Sequence, residues 1–137
     1  MEFLTEIGNQ KDWSIFILRF ALGLVFFYHG MPRITNPLRV AERSGIPRFK
    51  IAVLLFGVAE VFSGLALLFG VYEELAALAL FNVIIAATFI RGFQKKPQFS
   101  VDGITTWEFE LVFAAASLII VINGGGNITL FRFLGIL

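Results

Sequence analysis

Cysteine is absent from the 137 residues, which excludes a disulfide framework, a thiolate metal site and any thiol relay. Histidine occurs once, at His29, so a haem held by two histidines is excluded as well. The chain carries no flavin, nicotinamide or metal-binding motif, and electrons handled by it would have to come from a partner protein or from the substrate. Charge is also scarce: Asp, Glu, Lys and Arg make up 15% of the residues and nearly cancel to +1, a balance that gives no reason to expect a nucleic-acid partner. The first dozen residues hold Glu2, Glu6 and Asp12 against Lys11. They lack the basic region of a cleavable signal peptide, and the first hydrophobic run is expected to stay as a membrane anchor.

What the chain has in abundance is apolar surface. Hydrophobic residues account for 58% of it, against roughly 45–50% in soluble domains. The charged residues gather between four long apolar runs, at 13–30, 51–70, 74–90 and 107–123. Each approaches the roughly 20 residues that cross about 30 Å of hydrocarbon, and the last two are the shorter. None alternates with period two, and backbone amides in lipid must be bonded within their own segment, so helices are expected rather than barrel strands. The predicted fold is all-α: a single-domain, integral membrane four-helix bundle spanning residues 1–137. Trp13, Tyr28, Tyr72 and Trp107 fall at span ends, where Trp and Tyr favour the headgroup level.

Basic residues set the expected orientation. Arg33, Arg39, Arg43, Arg48 and Lys50 lie between the first two runs, and Arg91, Lys95 and Lys96 follow the third, while the opposite side holds only Lys11 and Arg132. The positive-inside rule then puts the chain in the cell membrane with both termini extracytoplasmic. Asn36, Pro37 and Gly45 punctuate the first connection as the start and stop of a short interfacial helix over 37–44, whose arginines could touch anionic lipid headgroups or serve only to fix topology.

Ionisable groups within a membrane span are costly and call for a partner or a use. Arg19, Glu60, Glu108 and Glu110 are such groups. Counting from the span ends puts Arg19 about 9 Å and Glu60 about 13 Å from opposite surfaces, and Asn82 in the same layer. Small residues share their helical stripes: Gly23 and Gly30 with Arg19, Gly57 and Gly64 with Glu60, Ala79 and Ala86 with Asn82, and Ala114 and Ser117 with Glu110. These stripes are expected to face the bundle interior. The Arg19 and Glu60 pair reads in two ways, as an ion pair that fixes helix register or as part of a binding or proton-handling site. Glu108, Glu110 and His29 are expected nearer the inner surface, where His29 is by default an interfacial hydrogen-bonding residue.

Laid out in this way, the chain resembles the DoxX family of small four-helix membrane proteins. The resemblance rests on Leu18-Arg19-Phe20-Ala21-Leu22-Gly23, Phe27-Tyr28-His29-Gly30, Ile46-Pro47, Glu60, Ser63-Gly64, Leu67-Leu68, Gly70, Trp107-Glu108-Phe109-Glu110-Leu111 and the closing Asn123-Gly124-Gly125-Gly126-Asn127-Ile128-Thr129-Leu130. Two departures stand in that closing segment: Gly125 takes the place of the family's proline, and Phe131 that of an aspartate. Relatives are associated with membrane oxidoreductase complexes, among them a thiosulfate:quinone oxidoreductase subunit and subunits beside terminal quinol oxidases. Without cysteine, a cysteine-bound sulfur intermediate is excluded here. The resemblance implies a quinone-linked oxidoreductase component, and the placement of the polar residues is compatible with Arg19, Asn82 and His29 binding quinone and Glu110 and Glu60 handling protons. A non-catalytic accessory or assembly subunit is the alternative. A small proton-coupled transporter built on Glu60 comes third, since the two helix pairs show no inverted repeat. Expected partners are membrane lipids and either further copies of the chain or a larger membrane redox complex.

Overall fold

A computed structural model describes residues 2–92 and 107–129, with side chains for 10–90 and 109–129. Five α-helices follow in order: α1 Glu2–Thr35, α2 Pro37–Arg43, α3 Lys50–Phe69, α4 Glu73–Gly92 and α5 Trp107–Asn123, with a 3-10 turn at Pro47–Phe49 before α3. Three of them, over Gln10–Thr35, Pro47–Phe69 and Glu73–Ile90, are long and apolar enough to cross a bilayer, and Phe109–Asn123 is a shorter apolar helix. The chain is a helical membrane bundle. Lys95, Lys96, Phe131 and Arg132 lie outside the described residues, as do the side chains of Arg91, Trp107 and Glu108.

Helix ends follow local chemistry. α2 begins with Pro37 at its first position, where a missing amide hydrogen costs nothing, and Asn36 precedes it without a side-chain cap. Gly70 closes α3 at φ +74°, the left-handed conformation that frees a helix end, and its amide donates to the Ala66 carbonyl at 2.9 Å. α1 runs further than its apolar stretch. It continues through Pro32 to Thr35, so Arg33 belongs to a helix and not to the basic connection where the sequence reading puts it. Pro32 withholds one bond from the carbonyl of Tyr28, one turn back, and the helix absorbs this near its end.

α1 packs along α3, α3 on α4, α4 on α5, and α5 returns to α1. Leu22, Phe26, Leu67, Ala77, Leu80, Ile84, Ala114 and Ile120 fill the space between them. The closest approach is between α1 and α3. A Cβ on Gly23 would come within 2.8 Å of the Gly64 carbonyl oxygen, and one on Gly30 within 2.7 Å of that of Gly57. Backbone therefore rests directly on backbone, as small residues permit in membranes. Ile17, Phe20, Leu55, Phe62, Leu75 and Phe89 point outward, as lipid-facing residues should. Arg39, Arg43, Arg48 and Lys50 are all exposed at the α2 end of the bundle.

Candidate functional site

The two glycine contacts fix the register of α1 against α3, and the register decides which charges meet. With Gly23 beside Gly64 and Gly30 beside Gly57, Arg19 comes level with Leu68 and Glu60 with Phe27. Those levels differ by about eight residues, or about 12 Å. Side chains on a helix lean toward its N-terminus. In antiparallel helices Arg19 and Glu60 therefore lean away from each other, and the pairing expected from equal depth does not form.

Arg19, wholly buried, instead reaches toward the far end of α3. Its Nη1 donates to Glu73 Oε1 at 2.7 Å and its Nη2 to the Ile128 carbonyl at 2.6 Å. The guanidinium also stands 5.7 Å from the centroid of the Phe16 ring. The closing segment after α5 is thereby tied down, and Asn127 adds two bonds to the Asp12 carboxylate at 3.2 and 3.1 Å. Gly125 is tight against Glu73: a Cβ there would lie 2.5 Å from the carboxyl carbon. That spacing leaves no room for a larger side chain, so glycine is the residue that fits here.

Glu60 leans the other way and accepts from Arg33 Nη1 at 2.5 Å. Around this second ion pair the structure gathers His29 and Glu110, and all four line one small cavity of about 40 Å³ whose walls also include Phe26, Phe109 and Phe113. His29 is exposed, Glu60 buried, and Glu110 half-buried. Glu110 Oε2 lies 2.7 Å from the Thr88 hydroxyl, which also lies 2.8 Å from the Ile84 carbonyl. A hydroxyl has one proton to give. With Glu110 ionised, Thr88 donates to it; with Glu110 protonated, the carboxyl donates to Thr88 and Thr88 turns to Ile84. Either state of Glu110 is thus served by the same oxygen.

Among the polar side chains around the cavity, two carboxylates meet one guanidinium and one imidazole. Among the described residues no cluster of three or more His, Cys, Asp or Glu side chains is set to hold a metal ion.

Of the residues singled out from sequence, His29, Glu60 and Glu110 come together at this cavity, and Arg19 stands apart at the other end of the bundle. Asn82 joins neither group. It is exposed on the outer face of α4, where its Nδ2 donates to the Leu78 carbonyl at 2.8 Å, so the expected layer of Arg19, Glu60 and Asn82 is replaced by two separate ion pairs. Arg33, Glu73 and Thr88 are the partners that the sequence reading missed. Arg33 could have been found, since it continues the stripe of Arg19, Gly23, Phe26 and Gly30 at alternating spacings of about four and three.

No curated protein and no solved structure matches the chain. The DoxX family model matches residues 14–93, from within α1 through α4 and including His29, Arg33, Glu60 and Thr88 though not Glu110. With more than half of its length matched, and with the helical membrane bundle described above, the chain belongs to the DoxX family.

Proposed function

We propose that the chain is a membrane subunit of a quinone-linked redox assembly, and that the cluster at the α2 end handles the proton that accompanies quinone oxidation or reduction. The observation that carries this reading is the gathering of His29, Arg33, Glu60 and Glu110 at one cavity with aromatic walls, beside a hydroxyl able to serve Glu110 in both protonation states. A quinone would supply the two-electron couple, with electrons exchanged through a partner. The residues suit the head group in kind: an exposed imidazole that can donate to a carbonyl, rings to stack against, and carboxylates behind them. They also limit where it stands. About 40 Å³ admits a few waters but not a ring, against the 300–1,000 Å³ of ordinary ligand pockets. The ring would therefore rest at the mouth beside His29, with only protons and water passing inward to Glu110 and Glu60. Arg19 and Asn82 have no part in this site. The exposed basic residues of the α2 end support a cytoplasmic position for it, with both termini on the other side of the cell membrane.

The same small cavity favours a second reading, an accessory subunit in which the cluster only fixes helix packing. Photolabelling of the full chain in nanodiscs with a quinone analogue separates the two. Labelling should map to the cavity mouth, fall several-fold with His29→Leu and survive Glu110→Gln, while Glu110→Gln slows turnover of the assembly by about 100-fold or more. Absent labelling together with unchanged turnover in Glu110→Gln would establish the accessory role.

A further inference from the structure

The outer face of α4 is used by neither ion pair. Leu75, Leu78, Asn82, Ile85 and Phe89 form a stripe along it at the spacing of a helix seam, and every member is exposed. Asn82 lies at the middle of the Glu73–Ile90 span, about 12 Å of apolar helix from either end. The other exposed polar side chains of the described spans, such as Ser14 and Asn123, stand within about two turns of a span end. A carboxamide has two N–H donors and an acceptor oxygen. One donor is used on the Leu78 carbonyl. The other, and Oδ1, face acyl chains that can neither donate nor accept. Ala79 and Ala86, half-buried about one turn to either side of Asn82, carry nothing beyond Cβ, so another helix backbone can come close.

We infer that this face is a contact between two copies of the chain, with α4 packed on α4 and the two Asn82 carboxamides hydrogen-bonded to each other across a two-fold axis normal to the membrane. A carboxamide is donor and acceptor at once, so it is its own complement. Copies inserted in the same topology carry Asn82 at the same depth on parallel helices, and a two-fold axis sets a residue opposite itself. A lipid tail satisfies neither group. An unlike protein would need its own polar residue at that depth, whereas a second copy has one by symmetry.

The absence of native cysteine makes the test direct. In bilayers containing the full chain, oxidation should join copies bearing Leu78→Cys or Ala86→Cys, and should leave copies bearing Ile17→Cys on α1 or Leu55→Cys on α3 unjoined. Energy transfer between two labelled populations should give a dissociation constant that rises about 3- to 20-fold in Asn82→Leu and returns toward the parent value in Asn82→Gln. The helicity of Asn82→Leu should match the parent, because within one copy the side chain bonds only to its own helix. Cross-links through α1 or α3 in place of α4, a monomer at every protein-to-lipid ratio, an unchanged dissociation constant in Asn82→Leu, or an unlike protein bound stoichiometrically on α4 would each overturn the inference.

Discussion

The two ends of this bundle each hold an arginine paired with a glutamate, yet the surroundings of the two pairs differ. At the Arg19 end the guanidinium is wholly buried, two of its nitrogens are bonded to separate segments, and Gly70 and Gly125 press against the pair. At the Arg33 end the pair borders a cavity, a second carboxylate and an imidazole. The first arrangement holds α1, the start of α4 and the segment after α5 in one place. The second keeps titratable groups near water. A buried charge pair in a membrane therefore says little about function until its surroundings are known, because tight enclosure and an adjacent cavity lead to opposite assignments.

The largest effect should come from breaking the enclosed end. Arg19→Leu leaves Glu73 and the Ile128 carbonyl without their buried donor and should cost about 3–5 kcal/mol, with the double variant Arg19→Leu/Glu73→Leu costing less than the two single losses together. Thermal unfolding in detergent reads both. Equal melting temperatures for Arg19→Leu and Arg33→Leu would erase the distinction between the ends. An intermediate effect is expected at the contact that sets the register. In Gly64→Val the new side chain would start from a Cβ 2.8 Å from both the Gly23 carbonyl oxygen and the Phe27 amide nitrogen, so α1 must move away, at a cost of about 1–3 kcal/mol. Cross-linking between α1 and α3 would follow the shift.

The smallest expected value is a coupling near zero. Arg19 and Glu60 sit in separate ion pairs about 12 Å apart in level, so a double-mutant cycle on them should be additive within about 0.5 kcal/mol. A coupling above 1 kcal/mol would mean that the ends communicate.

Much of the fold is legible in the sequence because lipid imposes it. Apolar runs of bilayer length, Pro37 after Asn36 and Gly70 after Phe69 mark helices and ends through local chemistry alone. The charge pairing is not legible by the same means. Equal depth for Arg19 and Glu60 is a statement about backbone levels, and it omits the lean of side chains toward the helix N-terminus, which in antiparallel helices sends these two apart. Arg33 lies beyond Gly30, where the apolar run ends, and so reads as part of the basic connection although it continues the stripe of Arg19, Gly23 and Gly30. Asn82 shows a third reason. α4 is apolar on both faces, Leu80 and Ile84 toward the core and Leu75 and Phe89 toward lipid, so periodicity cannot say which side Asn82 takes. Glu110 and His29 were found because few ionisable residues occur in such a chain, and each one stands out.

The glycine contacts between α1 and α3 also decide which part of the bundle can move. Where carbonyl oxygens rest against neighbouring backbone there is no rotamer to turn, so these two helices behave as one plate. The cavity has its back in that plate, through Phe26, Arg33 and Glu60, and its front in α5, through Phe109, Glu110 and Phe113. Widening can come from rotation of the phenylalanines or from displacement of α5, or of α4, which lines the cavity with Ile84 and Ala87. Glu110, carried on the shorter apolar helix, is therefore held outside the plate that carries Arg33 and Glu60.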